Sequence, residues 1–374
     1  MEVIPYDLVA TKMNFWYNSL KNNWIEKAEE TKKEVKQLLD NMEENQDALI
    51  YYSLLEFRHK LQFDYLSAGS GGSLEERFEK FREIRKKKKL EGMLDYYYHF
   101  FTGMYYFRQR ELIHALDFYR KAELQLNSFR CDELEKAEYY YKASEVYYYM
   151  KQTFFSMNYA NNAYRIYDDH ESYGERRVQC QFILSGNLID RMCHEKALDN
   201  LHKALDESNN LGSGHLIGSS HVNLGICYNE LEEIDKSSDH LQKALKVYKE
   251  EKNPFELKAL FNLAHVKIKQ AELNKAFDLY LEGIELARKY EKFDDLAKLE
   301  LLKGLYFEYD MDLLRKSFKF FKEKGKYADM EEYSVLVAET LAKKEKLCDS
   351  IEFYRVSVEA RRLIKRSGII YQEN

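Results

Sequence analysis

The sequence predicts an all-α protein: a small three-helix bundle at the N-terminus, then an α-solenoid of about six to seven helix-turn-helix repeats. Three observations predict it. Only 2 of the 374 residues are proline. Proline breaks helix interiors, so its scarcity permits long uninterrupted helices. The 31 tyrosines and 22 phenylalanines are too many for a surface and suggest helices packed by large flat side chains. Finally, a pattern of small and large residues recurs along most of the chain.

The bundle occupies residues 1–66. Its first helix spans roughly Asp7 to Lys21, with Val9, Met13, Trp16 and Leu20 at helical spacing. The second runs from about Ile25 to Met42, with Ala28, Val35, Leu38 and Leu39 on one side and lysines and glutamates on the other. The third covers about Ala48 to Leu66. If it starts nearer Gln46, then Gln46, Ile50, Leu54, Phe57 and Leu61 fall on one face. That stripe either docks a partner beneath the amide or packs inside the bundle. Residues 67–94 read as a linker or hinge, opening with the flexible segment Ser67–Ser73 and carrying the basic run Arg85-Lys86-Lys87-Lys88-Lys89. The run is either a solvated helix face or hinge, or an attraction for an acidic partner.

From residue 95 to 374 the repeat takes over. In "LGICYNELEEIDKSSDHLQKA" the small Gly225 is followed three residues later by Tyr228. Twelve residues after Gly225 comes Ser237, then Leu241, then Ala244. Equivalent sets are Gly103, Ala115, Tyr119 and Ala122; Ser144, Ser156, Ala160 and Ala163; Ser185, Ala197, Leu201 and Ala204; Ala264, Ala276, Tyr280 and Gly283; and Ala338, Ser350, Tyr354 and Ser357. A further unit around Gly304, Phe307 and Phe320 is degenerate. Small residues let neighbouring helices touch and large ones fill the gap, which is the tetratricopeptide (TPR) pattern. Stacked pairs make a concave surface suited to extended peptides. Asn187, Asn223 and Asn262 fall on first helices of successive units. An amide donates and accepts at once, so it can hold peptide backbone of any sequence. Asp190, one turn past Asn187, can meet a cationic group. The alternative is that these are ordinary solvent-facing polar residues.

Net charge is -6 and the pI about 6.0, which argues against general nucleic-acid affinity. Five widely spaced cysteines without CxxC point to free thiols in a reducing compartment. There is no signal peptide pattern and no run of eighteen apolar residues, so a cytoplasmic protein is expected. His194 and His202, and His215 and His221, lack the close helical spacing of a zinc pair, so no metal site is expected. Dinucleotide-binding, P-loop and nucleophile-elbow motifs are absent.

The segments "MEENQDALIYYSLLEFRH", "GMLDYYYHFFTGMYYF" and "DELEKAEYYYKASEVYYYMKQTFFSMNYA", followed by TPR units, resemble the Rap family of Bacillus. The two ends of the chain look most like the member carried by an integrative conjugative element. The resemblance implies a response regulator aspartate phosphatase. Its partners would be a response regulator, through its receiver or DNA-binding domain, and a short secreted and re-imported Phr-type peptide in the TPR groove that switches it off. Gln46 matches the family's catalytic glutamine, and Leu54, Phe57 and Met93 match regulator contacts, with Ile50 on the same stripe. Asp190 and Asn223 match peptide-holding positions; Asn187, Asn262 and His265 are candidates by repeat position. This chain would bind no cofactor, the regulator supplying Mg2+. A second possibility implied by the resemblance is a non-catalytic, peptide-controlled protein that sequesters a regulator or triggers derepression of a mobile element.

Overall fold

A computed structural model describes residues 3–66, 74–129 and 132–369. Among them are eighteen α-helices and no strand, apart from one isolated bridge between Ile4 and Met42. The chain divides into two compact units, Met1–Gln109 with His114–Ala143 and Asn162–Arg177, and Arg110–Ile113 with Ser144–Asn161 and Val178–Asn374.

The first unit opens with α1 (Tyr6–Lys21), α2 (Ile25–Leu39) and α3 (Gln46–Leu66). Val9, Met13, Trp16 and Leu20 are buried as their spacing requires. Helix α2 stops short of Met42 because the following backbone is drawn into a ladder with the N-terminus: Ile4 N–H donates to the Asn41 carbonyl at 2.9 Å and Glu43 N–H to that of Ile4 at 2.9 Å. The expected linker 67–94 needs correction. Residues 67–73 lie outside the described set, but α4 (Leu74–Lys87) fills most of the rest. Its Leu74, Phe78 and Phe81 are buried, a helical period that the basic run obscured. Helix α5 (Gly92–Arg108), α6 (Leu112–Ser128) and the first part of α7 (Glu133–Tyr149) complete the core, with the C-terminal part of α8 (Thr153–Asp168).

That core holds ionic groups. Arg176 donates to both Glu138 oxygens, at 2.8 and 2.9 Å, and Tyr167 adds its hydroxyl at 3.1 Å. Arg58 of α3, only 1% exposed, lies 3.9 Å from the same carboxylate. Burial opposes the charge on Glu138, yet Arg176, Lys142 and Arg58 hold it below the usual carboxylate range. Glu135 accepts from Tyr17 at 2.8 Å, Tyr96 at 2.9 Å and Lys21 at 3.1 Å.

The second unit stacks α9 (Gly174–Asp190), α10 (His194–Leu211), α11 (Gly214–Glu230), α12 (Ile234–Glu250), α13 (Glu256–Lys269), α14 (Leu273–Lys289), α15 (Phe293–Leu302), α16 (Met311–Glu323), α17 (Tyr327–Lys343) and α18 (Leu347–Ile369) on the ends of α7 and α8. The twelve-residue interval has a direct cause. Ser156 donates to the Ser144 carbonyl at 3.0 Å, Ser237 to that of Gly225 at 2.7 Å and Ser350 to that of Ala338 at 2.8 Å. Each small pair is thus a backbone crossing of two antiparallel helices. A methyl added at Gly225 would lie 2.6 Å from the Leu241 side chain, so the large partner four residues on fills the space glycine leaves. The degenerate unit has a physical basis too: α15 spans ten residues and passes into a π-helical turn, Lys303–Phe307.

The turns joining the two helices of each repeat share one feature. Arg110, Lys151, Met192, Glu232, Ala271, Tyr309 and Glu345 all have φ between +50° and +63°. The next residue closes the helix, as where Gln152 N–H donates to the Tyr147 carbonyl at 2.9 Å.

Candidate functional site

Gln46 is the first residue of α3, and its side chain is exposed. Asn45 begins the helix: its side-chain oxygen accepts from Ala48 N–H at 3.0 Å. With the cap supplied by its neighbour, Gln46 keeps its amide unused by any other described residue. Asp47 pairs with Lys88 at 2.6 Å, which ties this end of α3 to the segment after α4. Arg85, Lys86, Lys88 and Lys89 border an adjacent cleft of about 620 Å³. Each of these cations is paired, Arg85 with Asp95, Lys86 with Glu83, Lys88 with Asp47 and Lys89 with Glu91, and Asp95 and Glu91 line the cleft too.

The stripe below Gln46 is interior in this conformation. Leu54 is fully buried, and Ile50, Phe57 and Leu61 nearly so. Phe57 stacks on Phe81 of α4 at 4.2 Å between ring centres. Packing inside the bundle is therefore the role these residues have here. Met93, second residue of α5, is half-buried. On another face of α3, Trp16 N–H donates to His59 Nδ1 at 3.0 Å, so Nε2 carries the proton shared with Glu29 at 3.0 Å. Burial pulls His59 down to about 4.

The groove residues divide. Asn187 is 1% exposed, and its amide nitrogen donates to Ser156 Oγ and the Ile183 carbonyl, both at 2.8 Å. It joins α8 to α9 and has no donor left for a ligand, which corrects its expected role. Asn223 is half-buried with an amide that no described residue uses. Asn262 spends its nitrogen on the Lys258 carbonyl of its own helix at 2.7 Å and keeps its oxygen. His265 has a buried Nε2 without a hydrogen bond, and burial pushes its pKa down to about 4, so it is neutral. Asp190, last residue of α9, is engaged by Lys151 Nζ at 3.0 and 3.2 Å. Sequence reasoning missed Lys151, Lys88, Arg58, Glu135 and Glu138. Their partners lie about thirty or more residues away, beyond the reach of local periodicity.

An exposed amide on a helical bundle thus precedes a TPR stack that carries Asn223, whose amide no described residue uses, and the Lys151-held carboxylate of Asp190. The family model "response regulator aspartate phosphatase H, N terminal" matches residues 3–64, and a tetratricopeptide model matches residues 184–250 and 217–289. The chain is 46% identical over 368 residues to response regulator aspartate phosphatase I of Bacillus subtilis (strain 168), covering 98% of this chain and 94% of that one. Among solved structures it resembles a Rap protein complexed with competence and sporulation factor, with a TM-score of 0.90 at 35% identity, covering 96% of this chain and 99% of that one. It also resembles the apo form of RapI, with a TM-score of 0.66 at 45% identity over 96% of this chain and 99% of that one. The chain belongs to the Rap family of response regulator aspartate phosphatases.

Proposed function

We propose that this chain is a peptide-controlled response regulator aspartate phosphatase, with Gln46 as its catalytic group. The single observation that carries the assignment is the exposed, unshared amide at the start of α3. An aspartyl phosphate is already activated; hydrolysis lacks only a water aligned opposite the leaving carboxylate. A neutral amide can accept a hydrogen bond from that water and orient it without repelling the phosphate. A glutamate there would bring a negative charge toward a dianion. The magnesium such a reaction uses belongs to the regulator. Action in the cytoplasm, where regulators reside, fits this reading, and among the described residues no helix is long and apolar enough to cross a membrane.

The better fit is to the peptide complex, although the apo relative is nearer in sequence. The fit to the peptide complex supports reading the buried Leu54 and Phe57 as the switched-off arrangement. Exposing two such side chains costs about 3–6 kcal/mol. A peptide that moves the population from 1:99 to 99:1 must prefer this state by about 5.5 kcal/mol, a comparable amount.

The test is phosphate loss from a panel of phosphorylated regulators. Wild type accelerates it on at least one; Gln46→Ala loses most of the acceleration and still binds. Wild-type protein that binds a regulator yet leaves every phosphate in place would make the chain a sequestering protein instead.

A further inference from the structure

No described residue holds the Gln46 amide, so its aim depends on the backbone that delivers it. Aligning a water for attack tolerates errors of about 0.5 Å, and helix ends fray. Asn45 caps α3, but none of the connector Asn41–Asn45 is buried, so packing does not fix it. What fastens it is the start of the chain. Ile4 brackets Met42, its N–H donating to the Asn41 carbonyl and its carbonyl accepting from Glu43 N–H, both at 2.9 Å. Glu43 then adds its side chain: Oε1 accepts from the N–H of Tyr6, the first residue of α1, at 3.3 Å. Pro5 precedes Tyr6 and gives α1 no side-chain cap. A carboxylate 37 residues away takes that place, at the helix end where negative charge is favoured. Helix α1 is a rigid anchor, since Val9, Met13 and Trp16 are fully buried. Glu43 and Tyr6 are exposed, so their contact adds little to the core. Its effect falls on the connector, and Gln46 is the third residue beyond Glu43.

We propose that Glu43 is a positioning residue for the phosphatase reaction: with Ile4 it fastens the connector to α1 and so sets the angle at which the Gln46 amide meets the attacking water. The proposal rests on reading Gln46 as the catalytic group. Glu43 acts through that amide, its own carboxylate being engaged by Tyr6 N–H. Loss of the tie removes alignment rather than affinity, so it lowers kcat and spares KM.

The experiment uses the full chain and the phosphorylated regulator of the panel on which wild type acts fastest, with kcat and KM read from the accelerated phosphate loss. Glu43→Ala should lower kcat about tenfold at unchanged KM. Glu43→Gln, whose side-chain carbonyl still accepts from Tyr6 N–H, should stay within about twofold of wild type. Ile4→Pro removes the N–H given to Asn41, while Pro5 already keeps residue 4 extended, and should lower kcat about threefold. Added to Gln46→Ala, Glu43→Ala should change nothing further, because two residues acting through one amide are not additive. A slow Gln46→Ala beside a Glu43→Ala with wild-type kcat overturns this proposal alone. So does a raised KM in Glu43→Ala, a Glu43→Gln as slow as Glu43→Ala, or a further loss in the double variant. A Gln46→Ala that turns over like wild type, or a wild type that accelerates phosphate loss from no regulator, overturns the catalytic reading and this proposal together.

Discussion

Gln46 and Asp190 stand at opposite ends of their helices and in opposite conditions. The first begins α3, where partial positive charge gathers, and its neutral amide is unshared. The second ends α9, where partial negative charge gathers, and its carboxylate is held by Lys151. The difference teaches how a fold can store two polar sites. A neutral group at the favourable end needs no partner, because Asn45 takes the capping duty. An acid at the unfavourable end needs a counter-charge, which Lys151 supplies.

The contrast can be broken most forcefully in the buried ionic core of the first unit. Glu138→Ala leaves Arg58 and Arg176 buried without their carboxylate and should cost about 3–5 kcal/mol, seen as a lowered melting temperature. Arg58 is on α3, so regulator binding in the absence of peptide should change as well. Asp190 has no such foundation, and its substitution should leave melting nearly untouched. Next in size, Gln46→Ala should slow regulator dephosphorylation on the order of 100-fold while sparing affinity, since it removes alignment of the attacking water and no packing. Smaller again, Asn223→Ala should weaken peptide inhibition about tenfold by deleting a paired donor and acceptor, with the peptide-free phosphatase rate unaltered. A peptide equally effective on that variant would remove Asn223 from the groove.

A separate expected effect is on pH dependence. His59 is neutral in the folded protein because burial lowers it to about 4. Freed on unfolding, it takes up a proton near 6.5. Between those values the unfolded chain binds more protons than the folded one, so stability present above pH 6.5 declines as pH falls toward 4. His99, His221 and His265, each also near 4, act in the same direction. Melting followed across this window should show the decline, and His59→Gln should make it shallower.

The repeats were legible because their small residues are spaced by a backbone crossing, which leaves a fixed twelve-residue interval in the sequence. The start of α3 was legible in part: an asparagine before Gln46 is a helix-opening signal. Helix α4 was not, because Arg85 to Lys89 dominate a segment whose buried face is only Leu74, Phe78 and Phe81. Nor was the occupancy of the groove. Asn187 looks like Asn223 in register, yet Ser156 on α8 consumes its amide. Lys151 meets Asp190 across a separation no periodicity records. The left-handed turns were hidden for a related reason, since glycine or asparagine usually marks such a position and here neither does.

Those turns have one more consequence. Arg110 lies 4.5 Å from the ring centre of Tyr149, the last residue of α7; Lys151 holds the last residue of α9; and the Tyr309 hydroxyl donates to Asp349 at 3.1 Å. Each reaches from one repeat to the next without entering the apolar stack. The row behaves as a keyboard: changing a single key alters what the neighbouring helix end presents, while the frame beneath stays in tune. Single substitutions at these rungs therefore change the surface of a neighbouring helix end with little loss of fold.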